Sequence, residues 1–273
     1  MRVAGVQLNP NIASKEENVN RTVEFIKEAA DHNARLIVFP ECAITGYIFD
    51  TLEEATAKSE PIPGPSEKRI VDTCKKLNVF TIIGTIEQDD TNIFNTAIFS
   101  GPDGLIGKYR KIHLPYQGVD RFITPGHDAP KIYGTELGRV GINICYDAFL
   151  PESSRVLSLM GAELIALPTN WAKGVEFYSD YLVQTRALEN HINYMAVNRV
   201  GTEKGFAFYG RSKIISYNGR VLAEGGEKEE IIYADLDIVG AQNKKIVRIP
   251  GKWEIDVFND RKPEFYSLIT KSP

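Results

Sequence analysis

Only three cysteines occur in the 273 residues, Cys42, Cys74 and Cys145. An odd number without any close pair excludes a disulfide framework and the paired thiols of a structural zinc site, so each is expected to be a free thiol. The four histidines, His32, His113, His127 and His191, are scattered, and no two have the helical spacing that sets two imidazoles on one ion. No metal and no other cofactor is expected. The chain also lacks any apolar run approaching the roughly 18 residues of a bilayer span, and its opening, MRVAGVQLNP, lacks the apolar core of a secretory leader. A cytoplasmic protein without a membrane partner is the expectation. Nor is there a block of charge: Lys plus Arg number 32 against 36 Asp plus Glu, a net charge of −4, with no basic stripe to displace counterions from a phosphate backbone. Nucleic acid is not an expected partner. What is present is 43% hydrophobic, 10% aromatic and 25% charged, the balance of a folded globular domain.

Hydrophobic patterning begins β-α-β. Arg2 to Leu8 is short and β-prone, and Ser14-Lys15-Glu16-Glu17 has the form of a capping box opening a helix. Val19, Val23, Ile26 and Ala30 then step along one helical face, and Leu36 to Phe39 reads as a continuous buried strand. The pattern repeats with a Pro/Gly-rich loop at Ile62 to Pro65, a helix turning Ile70, Val71, Cys74 and Leu77 inward, and a strand from Val79 to Ile86. Strands near Phe94 to Phe99 and Leu105 to Tyr109 flank Gly101-Pro102-Asp103-Gly104, a tight-turn sequence that predicts an antiparallel hairpin.

The second half predicts a strand from Val140 to Ile144, a helix from Glu152 to Met160, a strand from Leu164 to Leu167, a long helix around Phe177 to Asn190 and a strand from Tyr194 to Val200. Asn218-Gly219 signals a two-residue hairpin turn, and Glu230 to Leu236 makes a last strand. No linker or composition shift marks a boundary, so residues 1–273 read as a single domain. Many strands with few helices predict an α/β fold in which two packed mixed sheets carry helices outside.

Three strand ends present chemistry. RVGINICYD, Arg139 to Asp147, ends a buried strand on Cys145 just before a helix opened by Pro151-Glu152. A thiol mounted there faces helix N–H dipoles that favour thiolate; the alternative is one more buried core cysteine. Glu41 follows Leu36 to Pro40 directly with no basic neighbour in sequence, so desolvation raises its pKa toward that of a general base, unless it is a loop residue in water. Lys108-Tyr109-Arg110-Lys111-Ile112-His113 aims an ammonium at the same edge or is a solvated charge run.

Together these segments resemble the nitrilase superfamily of carbon–nitrogen hydrolases over nearly the whole chain. The matching motifs are Phe39-Pro40-Glu41 with Thr45-Gly46-Tyr47, Gly107 to Leu114, and Cys145-Tyr146-Asp147 followed by Pro151-Glu152, Arg155 and Gly161-Ala162. Asn95-Thr96-Ala97, Pro125-Gly126, Arg186 to Asn190, Gly210, Ser212 and Gly219 match as well. The resemblance implies a four-layer αββα sandwich that pairs into a homodimer across one helical layer, the tail from about residue 240 to 273 wrapping or contacting the partner. It also implies a Glu41-Lys111-Cys145 triad: Glu41 as base, Cys145 as nucleophile, and Lys111 with the Tyr146 N–H holding the oxyanion.

One departure stands out. The family commonly has a second glutamate shortly before the Pro-Gly matching Pro125-Gly126, whereas here Gln117 to Thr124 offers Asp120 as the nearest acid. Asp120 takes that role or pairs with Arg121. Trp171 resembles the family's pocket-wall position, its alternative being an aromatic core residue. Tyr47, Tyr146 and Phe149 are further candidate walls, with Gln117 in a pocket-shaping loop. His113 lines the entrance or is structural. Arg186, Glu189 and Asn190 share a helical face, which fits an ion pair or a dimer contact better than catalysis. Cys42 is expected to be packing.

The resemblance implies a small-molecule amide substrate, cleaved through a thioester to a carboxylic acid and ammonia. Carbamoyl-amine or carbamoyl-amino-acid hydrolysis and ω-amidase activity are the near alternatives. True nitrilases of the superfamily usually carry Trp-Glu after the cysteine and a longer C-terminal extension, unlike Tyr146-Asp147 here. Acyl transfer shares the thioester. A non-catalytic binding protein would be signalled by a missing triad residue, and none is missing. A papain-like hydrolase needs a His–Cys pair, which the sequence around Cys145 does not resemble.

Overall fold

Alternate residues of the first strand enter two different cores. Val3 packs with Leu36, Val38, Ile82 and Phe99 on one side, while Ala4 and Val6 pack with Ile37, Phe39 and Ile83 on the other, as the two-residue period of a strand buried on both faces requires. The computed structural model describes residues 1–271. In chain order the first half comprises β1 (Arg2–Gln7), α1 (Lys15–Asp31), β2 (Leu36–Val38), α2 (Leu52–Thr56), α3 (Pro65–Leu77), β3 (Phe80–Asp89), β4 (Asn92–Gly101) and β5 (Gly104–Arg110). There follow β6 (Ile132–Thr135), β7 (Gly138–Ile142), α4 (Pro151–Leu159), β8 (Leu164–Thr169), α5 (Val183–Asn190), β9 (Asn193–Asn198), β10 (Val200–Glu203) and β11 (Phe206–Tyr209). The chain continues through β12 (Lys213–Ile215), β13 (Val221–Glu224), β14 (Glu230–Asp235), α6 (Ile238–Gln242), β15 (Lys245–Ile249) and β16 (Trp253–Asp256).

Two six-stranded sheets form, ordered β14-β1-β2-β3-β4-β5 and β13-β12-β9-β8-β7-β6. Each has three parallel strands at its centre, β1-β2-β3 and β7-β8-β9, with antiparallel neighbours outside. The sheets stack on each other, β1 against β9 and β3 against β8. Helices α1 and α3 cover the first sheet through Val19, Ile26, Ile70 and Cys74. Helices α4 and α5 cover the second through Leu157, Val183 and Ala187. This is the expected αββα order of two mixed sheets between helical layers. The hairpin expected at Gly101 to Gly104 is present, with those two glycines paired.

Three local expectations are corrected. The capping box does not close: Ser14 precedes α1 but its side chain makes no cap bond, its N–H donates to the Asn11 carbonyl, and Glu17 accepts from Asn11 Nδ2 at 2.8 Å. The buried stripe of α1 contains Asn18 and Thr22 with Val19, Ile26 and Ala29, and Asn18 is buried because its amide donates to the carbonyls of Asn11 and Ile44. The β12–β13 connection is longer than two residues. Ser216 N–H donates to the Arg220 carbonyl across Tyr217-Asn218-Gly219, and Asn218 Oδ1 accepts from Arg220 N–H, leaving Gly219 the left-handed position at φ 80°.

The parallel strands set the functional edge. Glu41 lies just beyond β2, Cys145 just beyond β7 and Lys111 just beyond the edge strand β5, so the C-terminal ends of two central strands and one edge strand converge where α/β sheets generally bind ligands.

Candidate active site

Both turns that leave the central strands are sharp. Cys42 and Cys145 adopt φ of 48° and 47°, left-handed conformations that a residue with a Cβ takes only when its surroundings enforce it. Behind the first turn lies Gly84 of β3. A Cβ there would stand 2.3 Å from the Cys42 nitrogen and 2.6 Å from the Glu41 Cα, so glycine is what lets the Glu41 backbone lie on the sheet.

Glu41, Lys111 and Asp120 are brought together with fully buried side chains. Lys111 Nζ donates to Glu41 Oε1 at 2.7 Å and to Asp120 Oδ2 at 2.5 Å. Asn95 Nδ2 ties the two carboxylates together, donating to Glu41 Oε1 at 2.7 Å and to Asp120 Oδ1 at 2.9 Å. Tyr47 donates its hydroxyl to Asp120 Oδ2 at 2.9 Å. Arg121 bonds instead to the carbonyls of Gly118 and Phe49, so the alternative in which Asp120 pairs with its neighbour is not what forms. The second oxygen of Glu41, Oε2, is buried without a hydrogen-bond partner.

Electrostatics follow from one buried cation among two carboxylates. Burial, aided by Asp120, raises the Glu41 pKa against the opposing pull of Lys111. Burial works against the Lys111 ammonium, yet Asp120 and Glu41 hold its pKa well above the usual lysine value. The Cys145 thiol is pushed up to about 12, by burial first and by the Glu41 charge second. Against the thiolate that a helix dipole would favour stand desolvation and the nearby Glu41 carboxylate, both of which hold the proton on the sulfur. The Thr169 hydroxyl and the Asn170 backbone N–H face that sulfur.

Cys145 opens into a cavity of about 330 Å³. Gln117, Tyr146 and Trp171 line it, together with Asn170, Lys173, Tyr178 and Phe206. Two suggested walls are displaced. Tyr47 is almost completely buried, and its hydroxyl is committed to Asp120. Phe149 stacks on Tyr146 with ring centroids 5.7 Å apart and is itself exposed, backing a wall rather than forming one. A wider hollow of about 960 Å³, bordered by Met1, Glu163 and Leu236, lies at the other end of the strands and contains none of these residues.

Residues 2–245 match the family described as carbon-nitrogen hydrolase. The chain belongs to the carbon-nitrogen hydrolase family. A protein named nitrilase from Pyrococcus abyssi is 38% identical over 97% of this chain and 99% of its own length. A human omega-amidase is 31% identical over 100% of this chain and 99% of its own. Among solved structures, an amidase from Nesterenkonia sp. superposes with a TM-score of 0.82 at 21% identity, covering 98% of this chain and 96% of that one. It shares the fold, and a variant of it carries an acetamide moiety covalently added at its active site cysteine.

In this carbon-nitrogen hydrolase, Asp147 links the two halves of the site. Its carboxylate accepts from Tyr109 OH at 2.7 Å, from the Ile144 N–H at 2.8 Å and from the His113 backbone N–H, and it pairs with His113 Nδ1 at 2.7 Å. The segment bearing Lys111 is thereby fixed to the turn bearing Cys145. His113 is structural, its pKa raised by that bond. Arg186 donates to the carbonyls of Ala148 and Phe149 and pairs with Glu189 at 2.8 Å, which braces the same turn from α5. Cys42 is packing, fully buried with its pKa raised by burial. Asn95, Thr169 and Asn170 were not picked out as site residues. Their signal was placement: Asn95 lies in a strand facing Glu41, and Thr169-Asn170 ends the strand next to that of Cys145.

Proposed function

We propose that the protein is a cysteine-dependent amidohydrolase that cleaves the C–N bond of a small linear amide through a thioester, giving a carboxylic acid and ammonia. The observation that carries the reading is the asymmetry of Glu41: Oε1 is held by Lys111 and Asn95, while Oε2 is buried and free of partners beside a neutral thiol. A carboxylate so placed is built to accept a proton and return it.

Oε2 takes the Sγ proton as sulfur bonds to the amide carbon. The negative charge moves from Glu41 to the carbonyl oxygen, where Lys111 and the Tyr146 N–H receive it. Because the charge is relocated rather than added, the buried cluster avoids holding a third anion. The tetrahedral adduct collapses, the C–N bond breaks, and Glu41 delivers its proton to the departing nitrogen, releasing ammonia. Glu41 then removes a proton from water as its oxygen attacks the thioester. Collapse expels the sulfur, which regains a proton from Glu41, and the acid leaves. Asp120 keeps Lys111 charged and fixed throughout.

The cavity is at the small end of ligand sites, and aromatic walls with few charges suit a short acyl chain. A second reading is hydrolysis of a dicarboxylate monoamide. Lys173 favours it as the one charged residue among the described residues lining the cavity, half-exposed and loosely paired with Glu227 at 3.7 Å. Ammonia release from short aliphatic amides, ω-amides, N-carbamoyl compounds and nitriles, each against a Cys145→Ala control, tests the proposal. Cys145-dependent ammonia from an amide class supports it; ammonia from nitriles alone, or from none, overturns it.

A further inference from the structure

Four buried polar atoms without a hydrogen-bond partner belong to residues beside Cys145: Glu41 Oε2, Thr169 Oγ1, Asn170 Oδ1 and Asn170 Nδ2. The mechanism above uses the first. Asn170 is alone among the described residues in having both ends of a buried carboxamide unpaired, and it is only 2% exposed while lining the cavity. A buried amide with neither donor nor acceptor engaged destabilises a fold, so its presence calls for a partner that arrives from outside.

Its position is rigidly set. Thr169 pairs in register with Asn198 of β9, and the Asn198 side chain clasps the Trp171 backbone, accepting from its N–H at 2.8 Å and donating to its carbonyl at 3.2 Å. Asn170 is thus held between two fixed neighbours, as a recognition group needs to be. Its own backbone N–H faces the Cys145 sulfur. The residue thus stands beside the reacting carbon rather than at the far end of a substrate, and its unpaired carboxamide is the polar group it brings there. Of the groups on that carbon, the oxygen goes to Lys111 and the nitrogen to Glu41. Only the acyl substituent is left for Asn170.

We propose that the Asn170 carboxamide is a specificity-determining group that hydrogen-bonds a polar substituent on the atom next to the scissile carbonyl, so that amides bearing a hydrogen-bond donor there are preferred over aliphatic ones. The chemistry is shared by a ureido N–H and an α-hydroxyl. The inference rests on the amidohydrolase reading above. A substrate that leaves a buried polar group unpaired is discriminated against far more strongly than one that misfits by a methylene.

Three amides of equal heavy-atom count separate the sources: propanamide, N-methylurea with a donor nitrogen next to the carbonyl, and glycolamide with a hydroxyl on the α-carbon. kcat/KM is measured for each with the wild-type protein and with Asn170→Leu, close to isosteric, and Asn170→Ala, which only removes atoms. Comparing polar-to-propanamide ratios between variants cancels the intrinsic reactivity of each compound. The expected result is a ratio that falls about tenfold or more on loss of Asn170 for N-methylurea, for glycolamide or for both, the compound affected naming the source. Cys145-dependent turnover with ratios unchanged in whichever variant folds overturns this inference alone. No Cys145-dependent turnover of any amide in a wider panel overturns the amidohydrolase reading and this inference with it.

Discussion

At the residue scale, the site is defined by one buried ammonium shared between two carboxylates, with a thiol beside them whose pKa burial raises. Cys145→Ala is expected to lower kcat/KM by about 10⁴-fold or more with the fold intact, as removal of a nucleophile generally does, while Cys42→Ala and Cys74→Ala retain turnover; ammonia assays with circular dichroism check both. Glu41→Gln is expected to be equally inactive, yet to match or exceed the wild type in melting temperature. Its raised pKa means that burial disfavours the carboxylate, so the folded state binds that proton more tightly than the unfolded chain, and stability from this group declines as pH rises through the folded pKa. The same shift fixes the acid limb of activity. Glu41 acts as a base only when ionised, so kcat/KM is expected to fall with decreasing pH at a value above 4.5, the ordinary glutamate pKa; a limb at or below 4.5 contradicts the assignment. Glu41, Lys111 and Cys145 were legible in the sequence through the family motifs that carry them; their place after strand-like sequence left a core, loop or solvated reading open for each. Asn95 and Asn170 were not, since a polar residue in a strand shows its function only through what the opposite strand or the adjacent turn places against it. Asp120 was legible as the nearest acid, but its choice of Lys111 over Arg121 depends on a fold that points Arg121 at two carbonyls.

At the element scale, the catalytic geometry depends on how closely turns lie on strands. Gly84→Ala forces a Cβ to within 2.3 Å of the Cys42 nitrogen, and backbone cannot yield as a flexible side chain can. Displacement of Glu41 by even about 1 Å is expected to lower kcat about 10²-fold, with a lower melting temperature from the strain; an active Gly84→Ala protein would show that the approach is slack. The parallel cores of both sheets were readable from hydrophobic runs bounded by helices, and the Gly101 to Gly104 hairpin from its turn residues. The α1 stripe was less readable. Asn18 and Thr22 are buried there because the adjacent loop brings carbonyls to Asn18, and binary patterning assigns such residues to solvent. Turn length at Asn218-Gly219 was misread for a related reason: the dipeptide specifies a left-handed glycine, which a three-residue loop followed by a bulge supplies as well as a two-residue turn.

At the scale of the whole molecule, apolar side chains are exposed along one helical layer and the tail beyond it. Val156 and Leu159 on α4, Met160 at its C-terminal cap, Leu188 on α5, and Trp253, Phe265, Leu268 and Ile269 after α6 all face outward, more than a monomer ordinarily shows in one region. We propose that this layer and tail pair with a second copy of the chain. Sedimentation velocity is expected to give a dimer, and Leu159→Glu with Met160→Glu a monomer; a wild-type monomer at micromolar concentration would remove the proposal. Among the described residues no helix is long and apolar enough to cross a membrane. Family and layers were within reach of sequence reading because they rest on motifs and on the succession of strands and helices along the chain. Substrate choice was not, because the residues that line the cavity, Asn170 and Lys173 among them, come together only in the folded chain.

The most direct test of Cys145 as the nucleophile is intact-mass spectrometry with peptide mapping after acid quenching during turnover of a reactive amide. The expected result is a mass increase equal to the acyl group, on the peptide containing Cys145 and absent from Cys145→Ala. Turnover with no adduct in the wild-type protein under single-turnover trapping, or an acyl group mapped to another residue, would contradict the account.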